Sequence, residues 1–159
     1  MKILVSLDGT DFSRAAVEKC RQIIAAPEKT AVRIVSAFEV VEPLDISISP
    51  EFSRELEGSA REKAQKTADE TAALIREDFP NIDLTVEVMR GASDRILIEL
   101  AQNWQADLII VGSHGQGFWG RMLLGSITDS LVHHAPCSVL VARRAEHERV
   151  VEKQTEFGG

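Results

Sequence analysis

The stretch from Val111 to Ser126 reads Val-Gly-Ser-His-Gly-Gln-Gly-Phe-Trp-Gly-Arg-Met-Leu-Leu-Gly-Ser and holds five of the ten glycines. An apolar run from Asp107 to Val111 comes before it, as is typical of a buried strand, and a segment with helix-like spacing follows it. Glycines let a backbone approach an anion closely, and the free N–H groups at a helix start can donate to that anion. The stretch therefore predicts an α/β protein with a phosphate or nucleotide site in this loop.

Outward from this loop, strand-like and helix-like segments alternate along the chain. The predicted strands are Ile3 to Leu7, Ala31 to Val41, Leu84 to Val88, Asp107 to Val111 and Cys137 to Ala142. Helical patterns separate them, and strands that alternate with helices form right-handed crossovers. The order predicts an α/β fold with one open five-stranded parallel sheet and helices on both faces. We assign residues 1–144 to this single domain and residues 145–159 to a polar C-terminal tail.

Local signals predict where several of these elements begin and which way they face. Ser49-Pro50-Glu51 is a strong start signal for a long helix with a narrow, alanine-rich apolar stripe that begins at Phe52. Ser93 and Asp94 are expected to cap the third helix. In the fourth helix, Ile127 to His134, we expect Leu131 and Val132 to face inward. The third strand alternates apolar and polar residues, which predicts a strand that is exposed on one side or lies near the sheet edge.

Composition restricts the classes of function. The chain has 159 residues and a net charge of −7, which argues against a nucleic-acid partner, because nucleic-acid binders carry a basic surface. No apolar run approaches the ~20 residues that span a membrane, and the start of the chain is too short and too quickly acidic for a signal peptide. Cys20 and Cys137 are expected to be buried thiols in a reducing compartment. The predicted location is the cytoplasm, without membrane attachment.

Two familiar phosphate motifs overlap the glycine loop and fail. The P-loop spacing is present from Gly115 to Gly120, but Arg121 stands in place of the lysine and Met122 in place of the magnesium-binding hydroxyl. A dinucleotide pattern matches Gly115, Gly117 and Gly120, but it follows the fourth strand instead of the first. In that pattern an acidic residue about 20 positions further on binds the ribose. Here that position falls near Arg143, at the end of the last strand.

A third pattern, G-x-x-G-(x)9-G-[ST], fits Gly112, Gly115, Gly125 and Ser126 completely. Backbone amides and the Ser126 hydroxyl can converge on phosphates in such a loop. This pattern resembles the nucleotide-binding branch of the universal stress protein family. The resemblance extends to Asp8 after the first strand, to Gly91 after the third, and to the segment from Leu123 to Arg143, so that it covers residues 1–144.

The resemblance implies an adenine nucleotide alpha hydrolase-like (Rossmann-like) fold that binds ATP, or ADP or AMP, at the strand ends. The backbone around Ala37 would read the adenine, and Asp8 would lie near the ribose, the phosphates or a bound Mg²⁺. The implied nucleotide-binding residues are Asp8, Ala37, Gly112, Gly115, Gly125, Ser126, Ile127 and Thr128, with His114 and Arg121 as further candidates for phosphate contacts. The family is also typically dimeric, and this implies a homodimer that pairs the last strand, Cys137 to Ala142. Phe118 and Trp119 depart from the family pattern at the loop surface.

We therefore expect an ATP-binding module of the stress response that acts through loop and dimer contacts with an unidentified protein partner. It lacks a P-loop lysine and a catalytic base recognisable from sequence, so the prediction is a binding protein with at most slow hydrolysis. Two alternatives stay open. One is a slow Mg²⁺-dependent nucleotide hydrolase that uses Asp8, and the other is a nucleotide-free dimeric interaction protein.

Overall fold

The computed structural model describes residues 1–7, 11–39, 49–113 and 125–143, without the side chains of residues 11–13. The strands are β1 (Lys2–Leu7), β2 (Ala31–Phe38), β3 (Asp83–Arg90), β4 (Leu108–Gly112) and β5 (Ser138–Ala142). The helices are α1 (Asp11–Ile23), α2 (Pro50–Asp78), α3 (Ser93–Trp104) and α4 (Ser126–His134), with one short 3-10 turn at Pro27–Lys29.

The five strands form one parallel sheet in the order β3-β2-β1-β4-β5. The chain adds strands in one direction from β1 to β3, then crosses over and adds β4 and β5 on the other side of β1. The direction therefore reverses between β1 and β4, where Val5 is the register partner of Ile110. This arrangement confirms the predicted fold class, and it also confirms that β3 is an edge strand.

Helices cover both faces of the sheet, and each face has its own core. Alternate residues of a strand point to opposite faces, so Ile3 and Val5 join the core under α1 and α2, whereas Leu4 joins the core under α3 and α4. All three are completely buried. This explains why the middle of β1 is an unbroken apolar run, Ile3 to Val5, as a parallel strand buried on both faces requires.

Helix α2 begins where the sequence predicts. The Ser49 hydroxyl accepts a hydrogen bond from the Phe52 N–H at 3.2 Å, and Pro50 is the first helical residue. Only the second half of the apolar stripe is buried, however: the buried residues of α2 are Ala68, Thr71, Ala72 and Ile75. Phe52, at the start of the stripe, is 50% exposed. The amphipathic pattern thus predicts the helix correctly but overstates how much of it is covered by the sheet.

Two predicted details of the later helices are wrong. The cap of α3 is Ala92, and Ser93 is already the first helical residue, because the turn at Gly91 places Ala92 in the extended cap conformation. In α4 Leu131 is completely buried, but Val132 is 51% exposed. Successive residues of an α-helix are about 100° apart, so both cannot face the same core.

Two of the predicted strands, β2 and β5, are longer than the observed ones, whereas β1 and β3 are shorter than observed. Strand β2 ends at Phe38, and Glu39 is not part of it, so the predicted extension to Val41 is wrong at Glu39. Residues 40 and 41 lie outside the described residues. Strand β5 begins one residue later than predicted, at Ser138.

The two cysteines are unpaired, in agreement with the sequence prediction. Cys20 is completely buried, and burial raises the pKa of its thiol to about 12. Cys137 is only partly buried, which corrects the expectation that both thiols lie in the core. Burial and the nearby charge of Asp107 raise its pKa, against the opposing effect of a backbone hydrogen bond with Ile109.

Candidate functional site

The candidate site lies at the carboxyl edge of the sheet, where the direction of strand addition reverses. In open α/β sheets the crevice outside this point is the usual position for a ligand. Strands β1 and β4 end there at Leu7 and Gly112, and helix α4 begins nearby at Ser126. The sequence motif that predicts phosphate binding is therefore at the position that the topology favours.

Two hydrogen bonds join the beginning and the end of the glycine loop. The Thr128 hydroxyl donates to the carbonyl oxygen of Gly112 at 2.9 Å, and the Gly125 N–H donates to the carbonyl oxygen of Ser113 at 3.3 Å. Gly112, Ser113 and Thr128 are all buried. The end of β4 and the start of α4 are thus held together by bonds within the chain.

The first turn of α4 presents backbone donors at this edge. The first backbone bond of the helix runs from the Asp129 N–H to the carbonyl oxygen of Gly125, at 2.9 Å. The N–H groups of Ser126, Ile127 and Thr128 come before this bond, so none of them has a partner inside the helix. Ser126 is exposed, and the positive end of the helix dipole lies at the same place. This arrangement can bind an anionic group such as a phosphate.

The side chain of Thr128, one of the predicted nucleotide-binding residues, points into the protein. The residue is 2% exposed, and its hydroxyl is already engaged with Gly112. Its side chain therefore supports the loop ends, and its backbone N–H is the group that remains as a candidate donor. Ser126, with an exposed side chain, is the residue of this turn whose hydroxyl can face a ligand.

Ala37 lies near the end of β2, beyond the point where β1 stops. The ladder between β1 and β2 ends with the pair Leu7 and Ser36, whereas the ladder between β2 and β3 continues to Phe38 and Arg90. Ala37 is half-buried and packs against the core under α3 and α4. Its backbone thus extends past β1 on the side of the candidate site.

The turn after β3 is attached to the same part of β2. The Gly91 N–H donates to the carbonyl oxygen of Phe38 at 2.9 Å. Gly91 has a φ of +138°, a conformation that other residues rarely adopt. This explains the glycine after the third strand, which the sequence analysis identified only by resemblance.

Several predicted site residues lie outside the described residues. They are Asp8, His114, Gly115 and Arg121, together with Phe118 and Trp119 of the loop surface and the whole of the proposed tail, residues 145–159. Within the described part of the chain, no group of three or more His, Cys, Asp or Glu side chains is placed to hold a metal ion. The Mg²⁺ assigned to Asp8 therefore remains a prediction from the sequence.

Ser113 is a residue of the site that the sequence analysis missed. Its carbonyl oxygen accepts the Gly125 N–H, and its own N–H donates to the carbonyl oxygen of Ala142, the last residue of β5, at 2.9 Å. The position directly after the motif's first glycine could have drawn attention to it. No pattern in the sequence, however, indicates that this residue connects the loop with β5.

Strand β5 forms the sheet edge next to the site, as expected from the resemblance. Its apolar residues Val139, Leu140 and Val141 are only partly buried in the single chain. An apolar edge strand of this kind is usually covered by another element or another chain. The homodimer itself remains a prediction.

Among the described residues, no helix is both long enough and apolar enough to cross a membrane.

The fold and the ends of the loop define a class: single-domain α/β proteins in which a glycine-rich segment follows the strand at the reversal point of a parallel sheet. Comparison with known proteins is consistent with this class. The family model for the universal stress protein family matches residues 1–143, and the chain belongs to that family. A relative from Coxiella burnetii, Universal stress protein A homolog 2, is 31% identical over 145 residues, which cover 89% of this chain and 94% of the relative. Universal stress protein Sll1388 of Synechocystis is 28% identical over 152 residues, with 89% and 97% covered.

Solved structures agree in fold. The protein MJ0577 superposes with a TM-score of 0.72 at 23% identity and covers 91% of this chain and 96% of its own. A universal stress protein in complex with cAMP gives a TM-score of 0.59 at 24% identity, with 90% and 96% covered. A family member from Arabidopsis thaliana with AMP bound gives 0.53 at 18% identity, with 93% and 94% covered.

Proposed function

We propose that this protein is an adenine-nucleotide-binding module of the universal stress protein type, with ATP as the preferred ligand. The observation that carries the proposal is the first turn of α4, whose amides at Ser126, Ile127 and Thr128 have no helical partner and lie at the reversal point of the sheet. Two structural neighbours bind cAMP and AMP, which supports an adenine nucleotide as the ligand. A phosphate chain would accept from these amides and from the Ser126 hydroxyl.

The other roles follow from the sequence motif and the strand ends. The backbone at Ala37 would read the adenine, since β2 extends past β1 at this residue. Asp8 would lie near the ribose or a Mg²⁺ ion, and Gly115 would let the loop approach the phosphates. His114 and Arg121 are proposed as additional donors to the phosphates.

We propose that the protein regulates the cytoplasmic stress response and that it is not primarily an enzyme. In this proposal nucleotide occupancy changes contacts made by the loop and by a homodimer paired through β5, and so alters binding of a protein partner. The half-exposed apolar edge of β5 and its bond to Ser113 support a link between the site and the edge strand. Sedimentation equilibrium should then give twice the 17.5 kDa mass of the chain, and a monomer at all concentrations would reject the dimer.

Equilibrium titration of ligand-stripped protein with ATP, ADP, AMP and adenosine tests the binding proposal. The glycine variants Gly115→Val and Gly125→Val should abolish or strongly weaken ATP binding, since a β-branched side chain would stand between the phosphates and the amides. Gly58→Ala is the matched control, because a Cβ at Gly58 meets no atom within 4 Å and the residue lies on an exposed helix surface. Unchanged ATP affinity in both valine variants would show that the loop assignment is wrong.

The enzyme alternative needs a separate measurement. Steady-state ATP turnover with Mg²⁺ should be slower than one event per minute if the protein is a binding module. Multiple turnovers per minute that disappear in Asp8→Ala would instead support a Mg²⁺-dependent hydrolase. Identification of the nucleotide that copurifies with the protein would establish which ligand is resident.

A further inference from the structure

We propose that Thr128 is a positioning residue: its hydroxyl fixes the start of α4 to the end of β4, so that the helix amides are aimed at a phosphate before any nucleotide arrives. This inference rests on the proposed function and deepens it. It assigns the Thr128 side chain to the support of the groups that bind the nucleotide, while the Thr128 backbone N–H stays one of those groups. The bond between Ser113 and Gly125 acts in the same way on the backbone.

The geometry of the loop ends carries the proposal. The Thr128 hydroxyl reaches 16 residues back along the chain to the Gly112 carbonyl, at 2.9 Å in a buried environment. Next to it, the Ser113 carbonyl accepts the Gly125 N–H at 3.3 Å. Both ends of the glycine motif are therefore bonded to each other without a ligand, and a nucleotide does not have to supply the free energy that brings them together.

Two threonines inside α2 show the bond that a helical threonine usually makes. Thr67 and Thr71 donate to carbonyl oxygens four residues earlier in α2, those of Lys63 and Thr67, at 3.1 and 2.8 Å. Such back-bonding is the common local choice of threonine inside a helix. Thr128 is in the first turn of α4 and instead bonds to a different element, the last residue of β4.

Loss of the Thr128 hydroxyl should weaken the binding of the nucleotide's phosphates more than the binding of its adenine base. Without it the buried Gly112 carbonyl has lost a partner, and the start of α4 is free to move away from β4. The amides of Ser126 and Ile127 would then be aimed less well at the phosphate chain. Ala37, which is proposed to read the adenine, lies on β2 and is not attached to this bond.

The experiment compares Thr128→Val with Thr128→Ser and with the matched control Thr71→Val. The valine keeps the shape of threonine without its hydroxyl, the serine keeps the hydroxyl, and Thr71→Val removes a buried hydroxyl remote from the site. Affinities for ATP and adenosine are measured by titration calorimetry, and each variant's thermal midpoint is recorded. For Thr128→Val we expect about a tenfold loss of ATP affinity, comparable to one buried hydrogen bond, with adenosine affinity changed less than about twofold. Thr128→Ser and Thr71→Val should bind ATP like the wild type.

The outcomes separate this inference from the proposed function. If the wild type binds no adenine nucleotide, the proposed function fails, and the role of Thr128 in binding fails with it. If the wild type binds ATP and Thr128→Val binds it equally well, or loses ATP and adenosine in the same proportion, the positioning role is wrong while the proposed function stands. Hydrogen exchange at the Gly125 amide in nucleotide-free protein gives a second readout, which should be faster in Thr128→Val alone. Thr128→Ala replaces Thr128→Val in the same comparison if the valine variant does not fold.

Discussion

The two edges of the sheet use different groups for their contacts. At the amino edge, charged side chains make the contacts. The Lys2 ammonium donates to the Trp104 carbonyl at 2.9 Å, and the Asp107 carboxylate accepts the Lys2 N–H at 2.7 Å. The Arg33 guanidinium lies 4.4 Å from the centre of the Trp104 ring and pairs with Glu87 at 3.0 Å. At the carboxyl edge, among the described residues, the ends of the glycine loop are joined by backbone bonds and by the hydroxyl of Thr128. Side-chain contacts lie further from the loop, between Arg90 and Glu57 and between Ser130 and Asp94.

This difference indicates where a ligand can bind. The charges of Lys2, Arg33, Glu87 and Asp107 are used in contacts within the chain at the amino edge. At the carboxyl edge the chain uses backbone carbonyls and leaves the amides of the first turn of α4 for another acceptor. Substitutions at the amino edge should therefore change stability and leave ligand affinity nearly unchanged, whereas those at the ends of the glycine loop should change ligand affinity.

The largest expected effect is on the alkylation rates of the two thiols. Cys137 lies at the amino edge, and Cys20 is the fully buried thiol with which it is compared. A pKa raised from 9.0 to about 12 lowers the thiolate fraction of Cys20 at neutral pH by roughly a thousandfold. We expect alkylation of Cys20 in the native protein to be slower by about this factor than in the urea-unfolded chain. Cys137 should be intermediate. Mass spectrometry of labelled peptides measures both rates, and equal rates for the two native thiols would contradict the difference in burial.

The same pKa shift predicts an effect of pH on stability. The pKa of Cys20 is higher in the folded than in the unfolded protein, so its contribution is fully present below the unfolded value near 9.0. The contribution is lost as the pH rises from there toward 12. The free energy of unfolding in urea should therefore fall between pH 8 and pH 11. The fall, measured from each protein's own value at pH 8, should be smaller in Cys20→Ala than in the wild type.

Trp104→Ala should have the next largest effect, on stability alone. The substitution removes a half-buried ring that packs against the core under α3 and α4 and that both Lys2 and Arg33 approach. We expect a loss of about 2–3 kcal/mol in the free energy of unfolding, near the lower limit for large-to-small core changes. ATP affinity, measured by titration, should stay within about twofold. A large loss of affinity at preserved stability would show that the two edges are not independent.

Gly91→Ala is expected to cost less and to test the carboxyl edge at the turn after β3. Its φ of +138° is strained for alanine, and an added Cβ would lie 3.4 Å from Ile96 Cδ1. We expect a destabilisation of about 1–2 kcal/mol in chemical unfolding. The matched control Gly58→Ala, in open space on α2, should stabilise by about 0.5–1 kcal/mol. Destabilisation by both variants would mean that the backbone conformation at Gly91 is not the cause.

The smallest effect is expected for Glu87→Gln, which removes the charge that pairs with Arg33. The two side chains are 31% and 22% exposed, so water screens the pair in part. We expect a loss of about 0.5 kcal/mol or less. The double variant with Arg33→Gln completes the cycle, and an interaction energy well above 1 kcal/mol would show that the amino edge depends on this pair more than the geometry suggests.

The sequence predicts much of the candidate site because its signals are local. The spacing of Gly112, Gly125 and Ser126 identifies the loop ends, and Ser49-Pro50 identifies the start of α2 within one residue. The bond from Thr128 to Gly112 spans 16 residues and connects two elements, so no local pattern indicates it. The family resemblance names Thr128 as a nucleotide-binding residue and does not indicate this bond of its hydroxyl.

The same distinction explains the errors in the helices. The apolar stripe of α2 predicts a helix, but only packing decides that Ala68 is buried and Phe52 is half exposed. Leu131 and Val132 are both apolar, and the orientation of α4 on the sheet decides which of them faces the core.

By itself, the sequence determined the alternation of strands and helices, the position of the glycine loop after β4, and the membership of the chain in its family. These features depend on residue periodicity and on the conformational freedom of glycine, which act over a few neighbouring residues. The tertiary structure alone decided that β4 lies beside β1, that Ser113 bonds to the end of β5, and that the hydroxyl of Thr128 supports the glycine loop. Those features depend on which distant segments meet in the folded chain, and hydrogen bonds between such segments leave no periodic trace in the sequence.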